Sequence, residues 1–541
     1  MKISGTIVDV VQQRMYSGTV HVANGVIEQI VEEPTDSNVY IMPGFVDAHV
    51  HIESSMLPPS EFARLAVVHG TVATVSDPHE IANVLGVEGV RYMLHDAERT
   101  PMKITFGAPS CVPATTFETA GATVTADDIR TLFADERITY LSEMMNYPGV
   151  LFNDPVVMEK IAVAKEYNRP VDGHAPGLRG DDARTYISAG ISTDHECFTL
   201  EEALEKVDYG MKILIREGSA AKNFEALHSL ITSHTDMVML CSDDKHPDSL
   251  AIGHLNTVVQ RAVAKGHDVL KVLQCACVNP VRHYNLKVGL LQQGDAADFI
   301  VTDSLETFTV LQTYINGKCV AERDTSLLPH HNTTAVNNFS CSPKMESEFA
   351  VKATGNTIRV IEVLDGQLVT NELLVPATIA NGYIQTNTER DILKVAVVNR
   401  YQNAPVSVGF ITNFGLQQGA IASSVAHDSH NIIAVGVTDA EICTAVNTLI
   451  ELGGGVCVTA NGEMESLALD IAGLMSTADG YHVAETYSRL DARARGLGSQ
   501  LGSPFMSLSF MALLVIPSLK MSDLGLFSGA TFTFTDVQLQ Q

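Results

Sequence analysis

The feature that most constrains this chain is a series of eight short apolar runs between residues 43 and about 285, each ending at or beside a titratable or hydroxyl side chain. The runs are GFVDAHVH, TVATVSD, KITFGAP, ITYLSE, RPVDGH, GISTDHE, MKILIRE and DMVMLCSDD. Between them lie amphipathic stretches with helical periodicity, among them SEFARLAVVHG, TADDIRTLFADE, DPVVMEKIAVAKEYN and LEEALEKVDYG. Alternation of this kind builds βα units around a parallel sheet. Eight units in roughly 240 residues match the size of a (β/α)8 barrel, where the strand C-termini converge on one face. The polar endings are therefore expected at a single mouth, the arrangement of an active site.

The flanks read differently. Residues 1–42 alternate in the period-two manner of short antiparallel strands, with Gly5, Gly18 and Gly25 at turn-like positions. Residues 288–320 have the same character, and Asn316-Gly317 is a hairpin-turn dipeptide. After a polar stretch from Arg323 to Ser347 come new alternating strands, a helix after Thr438 and a glycine-marked turn at Gly453–Gly455. The predicted fold is α/β. It comprises a (β/α)8 TIM-like barrel over 43–285, a small composite β-sandwich domain from 1–42 plus 286–322, and a C-terminal α/β domain over 346–541. The third domain shows no titratable cluster that would make a second active site, so its expected part is to cover the barrel mouth or form an oligomer interface.

Charge and composition narrow the function. Lys and Arg number 35 against 63 Asp and Glu, a net charge of −28, which repels polyanions and leaves no basic stripe for nucleic acid. The longest apolar run, around Met506 to Pro517, is well short of the roughly 18 residues a membrane span needs, and MKISGTIVDV lacks a signal-peptide succession. A soluble cytoplasmic protein without a membrane or nucleic-acid partner is expected. The nine cysteines form no Cys-x-x-Cys pair, and most are expected to be buried thiols, Cys275 and Cys277 included. The sequons at Asn332 and Asn338 carry no weight without a secretory signal, and the Met144-Met145 and Met506–Met511 strings are expected to pack.

His49 and His51 alternate at the end of the first run, so both imidazoles point to one face of a strand and can reach one cation. His174 ends the fifth run, His195 the sixth and Asp243 the eighth, while Glu143 in the fourth adds a carboxylate able to bridge two ions. Six nitrogen and oxygen donors with no thiolate suit Mn²⁺, Fe²⁺ or Zn²⁺. Asp77 and His79, ending the second run, are expected to orient the ligands by hydrogen bonds from behind, or else to cap a helix. Ser110, Glu118, Arg216, Asp244, Lys245 and His246 fall on βα loops, where binding residues concentrate. The plain alternative for Arg216 and Glu217 is a surface ion pair with one another.

These motifs resemble the amidohydrolase superfamily. Pro43 to His51 looks like its first-strand motif, and Gly289-Leu290 with Gly294-Asp295-Ala296-Ala297-Asp298 resembles its return into the small β domain. HIESSMLPPSEFARLAVVHGTVATVSDPHEIANVLG (51–86), PSCVPATTFE (109–118), VDGHAPG (171–177) and SDDKHP (242–247) resemble the bacterial adenine deaminase family within it. So do IAGLMS (471–476) and SPFMSLSFMALLVIPSLKMSDLGLF (503–527). Many superfamily members bridge their metals with a carboxylated lysine. Glu143 in that place favours the deaminase branch. The His-x-Glu and Pro-Cys-x-x-Cys pattern of the other nucleobase-deaminase fold is met only in its first half, at His51-Ile52-Glu53.

The resemblance implies two divalent ions, Mn²⁺ or Fe²⁺ foremost and Zn²⁺ as an alternative, held by His49, His51, Glu143, His174, His195 and Asp243. It implies hydrolysis of adenine to hypoxanthine and ammonia in purine salvage, by a metal-activated bridging hydroxide attacking C6. Asp243 is the expected proton acceptor, and Glu196, Glu217 and Glu118 are the acids considered for the ring nitrogen N1. Ser110, Glu118, Arg216 and Asp244 are the candidate substrate contacts. The rival readings are another binuclear amidohydrolase, acting on a cyclic amide or a different aminopurine, and a catalytically inactive structural homologue. A homo-oligomer is expected, closed symmetric assemblies being commonest.

Overall fold

The structure is a computed structural model that describes residues 1–539. Each of the eight apolar runs forms a barrel strand: Phe45–Val50, Thr71–Ser76, Lys103–Ala108, Ile138–Met144, Val171–Gly173, Thr193–Asp194, Lys212–Arg216 and Val238–Cys241. The first five pair in parallel as one sheet and the last three as another. A parallel bridge from Val171 to Ile191 joins the two, and one from Val50 to Asp243 closes the ring. The amidohydrolase expectation of a TIM-like barrel is met.

The intervening helices start where local chemistry satisfies their free N–H groups. Asp154 caps Pro155–Glu166, and Thr199 caps Leu200–Asp208. Thr125 and Asp128 make a reciprocal capping box on Ala126–Phe133.

Both flanks build one eight-stranded sheet, in which Phe299–Thr302 lies antiparallel to Tyr40–Pro43, with Phe299 opposite Pro43. Because Tyr40–Pro43 runs almost directly into the first barrel strand, this sheet anchors the barrel where the His49 strand begins. The Asn316-Gly317 hairpin forms as read, with Ile315 opposite Lys318 and positive φ at both turn residues (47° and 72°).

The third domain is a nine-stranded sheet with helix Asp439–Leu452 packed on it. Its helix Gly480–Gly496 lies on barrel helices Pro59–Ala66 and Pro247–Ile252. There the Gly480 N–H donates to Glu61 Oε2 at 2.7 Å, and Arg64 Nη1 to Asp479 at 2.7 Å. One continuous apolar core runs from the barrel into this domain, which places its loops over the strand C-termini.

Lys520 ties segments of the third domain to one another. It is buried, and its ammonium donates to the carbonyls of Leu368 (2.6 Å) and Phe510 (2.9 Å). Burial lowers its pKa from 10.5 to about 7. Between pH 7 and 10.5 the unfolded chain therefore binds more protons than the folded one, and this group makes stability rise with pH across that window. Lys520→Met is expected to flatten that rise. Urea unfolding at pH 7 and pH 9.5 checks it, and an unchanged difference would contradict it.

Candidate metal centre

At the barrel mouth the strand ends deliver their side chains into one buried cluster. His49 Nε2 and His51 Nε2 lie 3.2 Å apart. Asp243 Oδ1 faces both, at 3.6 and 3.3 Å. Across the mouth His174 Nδ1 and His195 Nε2 stand 2.8 and 3.2 Å from Glu143 Oε2. Glu143 Oε1 is 3.4 Å from His51 Nε2. One carboxylate thus turns one oxygen to each half of the cluster. The donor set has more lone pairs than protons to share, is fully buried and contains no thiolate, which fits divalent cations.

Electrostatics leave the carboxylates ionised and His49 neutral. At His51, His174 and His195 burial is outweighed by the facing carboxylates, which raise all three, so that a bound cation would have to displace their protons. Burial, with His195 and His51 close by, holds His49 well below its usual range, so its ring is neutral. Burial alone would raise Asp243, but Arg216 and His51 outweigh it and hold the carboxyl well below its usual range. His174 and His195 do the same for Glu143 against its own desolvation.

The backbone explains why the strands end this way. Asp243 sits at φ +55°, in the left-handed region that Asp tolerates better than most residues. Its N–H donates to His49 O (2.9 Å) and its carbonyl accepts from the His51 N–H (3.4 Å), clamping the last strand to the first. Behind the ligands, Asp77 Oδ2 accepts from the Glu143 N–H (3.2 Å) and lies 3.2 Å from His79 Nδ1, which is 3.4 Å from Glu143 Oε1. His51 Nδ1 is 3.2 Å from the Asp77 carbonyl. Asp77 and His79 thus lie behind the donor cluster. Asp77 also serves the helix that follows, its Oδ1 accepting from the His79 N–H (3.1 Å) while Glu53 Oε1 accepts from the Ile81 N–H (3.2 Å).

Lys206 organises the opposite half. Its buried ammonium donates to Asp194 Oδ2 (2.5 Å), Glu202 Oε1 (2.7 Å) and the Ala175 carbonyl (2.7 Å), next to His195 and His174 in sequence. Lys206→Met would leave two buried carboxylates without their cation. A loss of about 3–5 kcal/mol is expected in denaturant unfolding, and a loss under about 1 kcal/mol would show that the triad does not hold this half.

The remaining sequence candidates separate. Arg216 and Asp244 line the cavity above the cluster. Arg216 Nη1 donates to Asp243 Oδ2 (2.6 Å) and Glu196 Oε1 (2.5 Å), and its Nη2 to Glu196 Oε2 (2.8 Å). Asp244 accepts from Ser54 Oγ at 2.5 Å. Ser110 stands behind the wall, its hydroxyl donating to the Glu143 carbonyl at 2.5 Å. Glu118 is buried against Thr115 and is not in the cavity wall.

Glu217 is a correction. Successive residues of an extended strand point to opposite sides. Arg216 therefore faces the mouth while Glu217 turns outward to Arg261 Nη1 at 2.7 Å. The Arg216–Glu217 pair does not form, and Glu217 is withdrawn as a catalytic acid. Of the three acids considered for N1, only Glu196 lies in the cavity.

Covering the mouth is one of the two parts expected of the third domain, but sequence reasoning missed the residues that line the cavity. The cavity is bounded from above by Leu368, His427, Asp428, Phe510 and Leu513 of the third domain. His427 Nδ1 is 2.6 Å from Glu80 Oε1, and His430 Nε2 contacts Glu80 Oε2. The one available signal was the titratable string Ala426-His427-Asp428-Ser429-His430.

Comparison with known proteins agrees with this architecture. The amidohydrolase family model matches residues 40–320, and the adenine deaminase C-terminal domain model matches residues 367–533. The chain is 54% identical over 537 residues to adenine deaminase of Sulfurovum sp. (strain NBC37-1), and 52% identical over 547 residues to that of Methanosarcina acetivorans. Adenine deaminase of Borreliella burgdorferi is 47% identical over 543 residues. Each of these alignments covers 99% of both chains. With a ligand-rich barrel mouth and a matching C-terminal domain on one chain, the protein belongs to the adenine deaminase family of the amidohydrolases.

Proposed function

We propose that the protein hydrolyses adenine to hypoxanthine and ammonia at the barrel mouth, as a step of purine salvage. The observation that carries the chemistry is Glu143, whose two oxygens face two separate sets of donors. His49, His51 and Asp243 with Glu143 Oε1 would hold one divalent ion. His174 and His195 with Glu143 Oε2 would hold the other, Mn²⁺ or Fe²⁺ suiting such nitrogen and oxygen donors. When bound, the ions supply a water whose pKa is lowered toward neutrality, a nucleophile for C6.

The protein's own groups do the rest. Asp243 takes the proton of the attacking water at Oδ1 and passes it to the leaving amine, while Arg216 fixes Oδ2 so that the carboxylate keeps its direction. Glu196 secures Arg216 through both oxygens and so holds the guanidinium against Asp243 in the cavity wall. The cover from the third domain excludes bulk water, which strengthens each of these interactions. A cytoplasmic homo-oligomer completes the reading.

The test is chromatography of adenine, guanine and a cyclic amide such as dihydroorotate after incubation with Mn²⁺-loaded protein. Adenine alone is expected to be consumed, with hypoxanthine appearing. Turnover of the cyclic amide and not of adenine would overturn the substrate and keep the hydrolase.

A further inference from the structure

We infer that Asp428 and His427, carried by the third domain, contact the purine itself, with Asp428 accepting a hydrogen bond from the N–H of its five-membered ring. This rests on the adenine reading and adds to it the residues that choose the free base over N-substituted purines.

Both side chains are 3% exposed and both line the cavity that holds His51, Glu143 and Asp243. His427 is fixed from one side only, by Nδ1 on Glu80. Its Nε2 is buried without a hydrogen-bond partner among the described residues, and so is Asp428 Oδ2. The other Asp428 oxygen lies 3.8 Å from His79 Nε2. A buried carboxylate oxygen and a buried ring nitrogen left unsatisfied are costly unless a ligand completes them.

The surface beside them suits a flat ring. Phe510 stacks on the His427 imidazole with centroids 5.0 Å apart and planes at 29°, and Leu368 and Leu513 extend this apolar ceiling. An adenine with C6 turned toward Glu143 and Asp243 directs its five-membered ring away from them. That ring carries one N–H donor and one lone-pair nitrogen, the complement of Asp428 Oδ2 and a protonated His427 Nε2. A substituent on the N–H nitrogen removes the donor and leaves Asp428 buried and unpaired, so a nucleoside is rejected by chemistry as well as by size.

The test is steady-state kinetics of full-length, metal-loaded Asp428→Ala and Asp428→Asn with adenine and 9-methyladenine. For Asp428→Ala the KM for adenine is expected to rise about tenfold or more while kcat stays within about threefold, and the kcat/KM preference for adenine over 9-methyladenine to fall at least about tenfold. Asp428→Asn keeps the shape of the side chain, is expected to move both quantities in the same direction, and decides alone if the alanine variant does not fold. KM and preference within about twofold of wild type in the folded variants would overturn the inference. Wild-type protein that leaves adenine untouched would instead overturn the adenine reading, and this inference with it.

Discussion

Glu143→Ala is expected to lower adenine turnover by about 10³-fold or more, because it withdraws a ligand from both halves of the cluster at once. Lewis-acid chemistry of this kind contributes several kcal/mol, and each 1.36 kcal/mol is a factor of ten in rate. Metal content separates this effect from a general loss of fold. Elemental analysis after dialysis is expected to find fewer than two ions per chain, with circular dichroism unchanged. The same deficit should not follow from Ser110→Ala, which touches only the Glu143 carbonyl. Full activity in Glu143→Ala would show that the carboxylate bridges nothing.

Asp243→Asn is the second large effect, and it differs in kind. The amide keeps the shape of the side chain and retains an oxygen for Arg216, but it cannot accept the proton that general-base catalysis requires. A loss in kcat of about 10²–10⁴-fold is expected. KM should change far less, because Asp243 acts on the water and on the leaving group. Arg216→Lys is the informative companion. One ammonium cannot reproduce the fork that grips Asp243 and both oxygens of Glu196, so a loss intermediate between wild type and Asp243→Asn is expected in the same assay. A kcat equal to wild type in Asp243→Asn would remove this residue from proton transfer.

Much of this site was legible in the sequence because a barrel converts a one-dimensional pattern into one place. Short apolar runs fix the strands, and whatever follows the last apolar position lies at the mouth. His49, His51, Glu143, His174, His195 and Asp243 all come from such endings and all meet. The reading was weaker where one residue's direction decided the outcome. Glu217 follows Arg216 by a single position, and the alternation of side chains along a strand sends it to Arg261 and away from the mouth.

Long-range contact was not legible. Lys206 reaches Asp194 from the next helix, a pairing that depends on how the helix returns over the strand. His427 and Asp428 lie more than 180 residues beyond the last barrel strand, in a segment whose sequence marks no strand ending. Their place in the cavity follows from the docking of the third domain, which the buried Glu61 helps to secure and no local period announces. The same docking explains why this domain can matter to the reaction without a ligand cluster of its own kind: it supplies the ceiling of a site whose floor is the barrel.

Whether one carboxylate organises two cation positions at the barrel mouth is measured most directly by an anomalous-difference map from crystals of the Mn²⁺-loaded protein. Two peaks are predicted, one among His49, His51 and Asp243 and one beside His174 and His195, with Glu143 between them. A single peak, or two peaks elsewhere in a protein that still deaminates adenine, would contradict that arrangement.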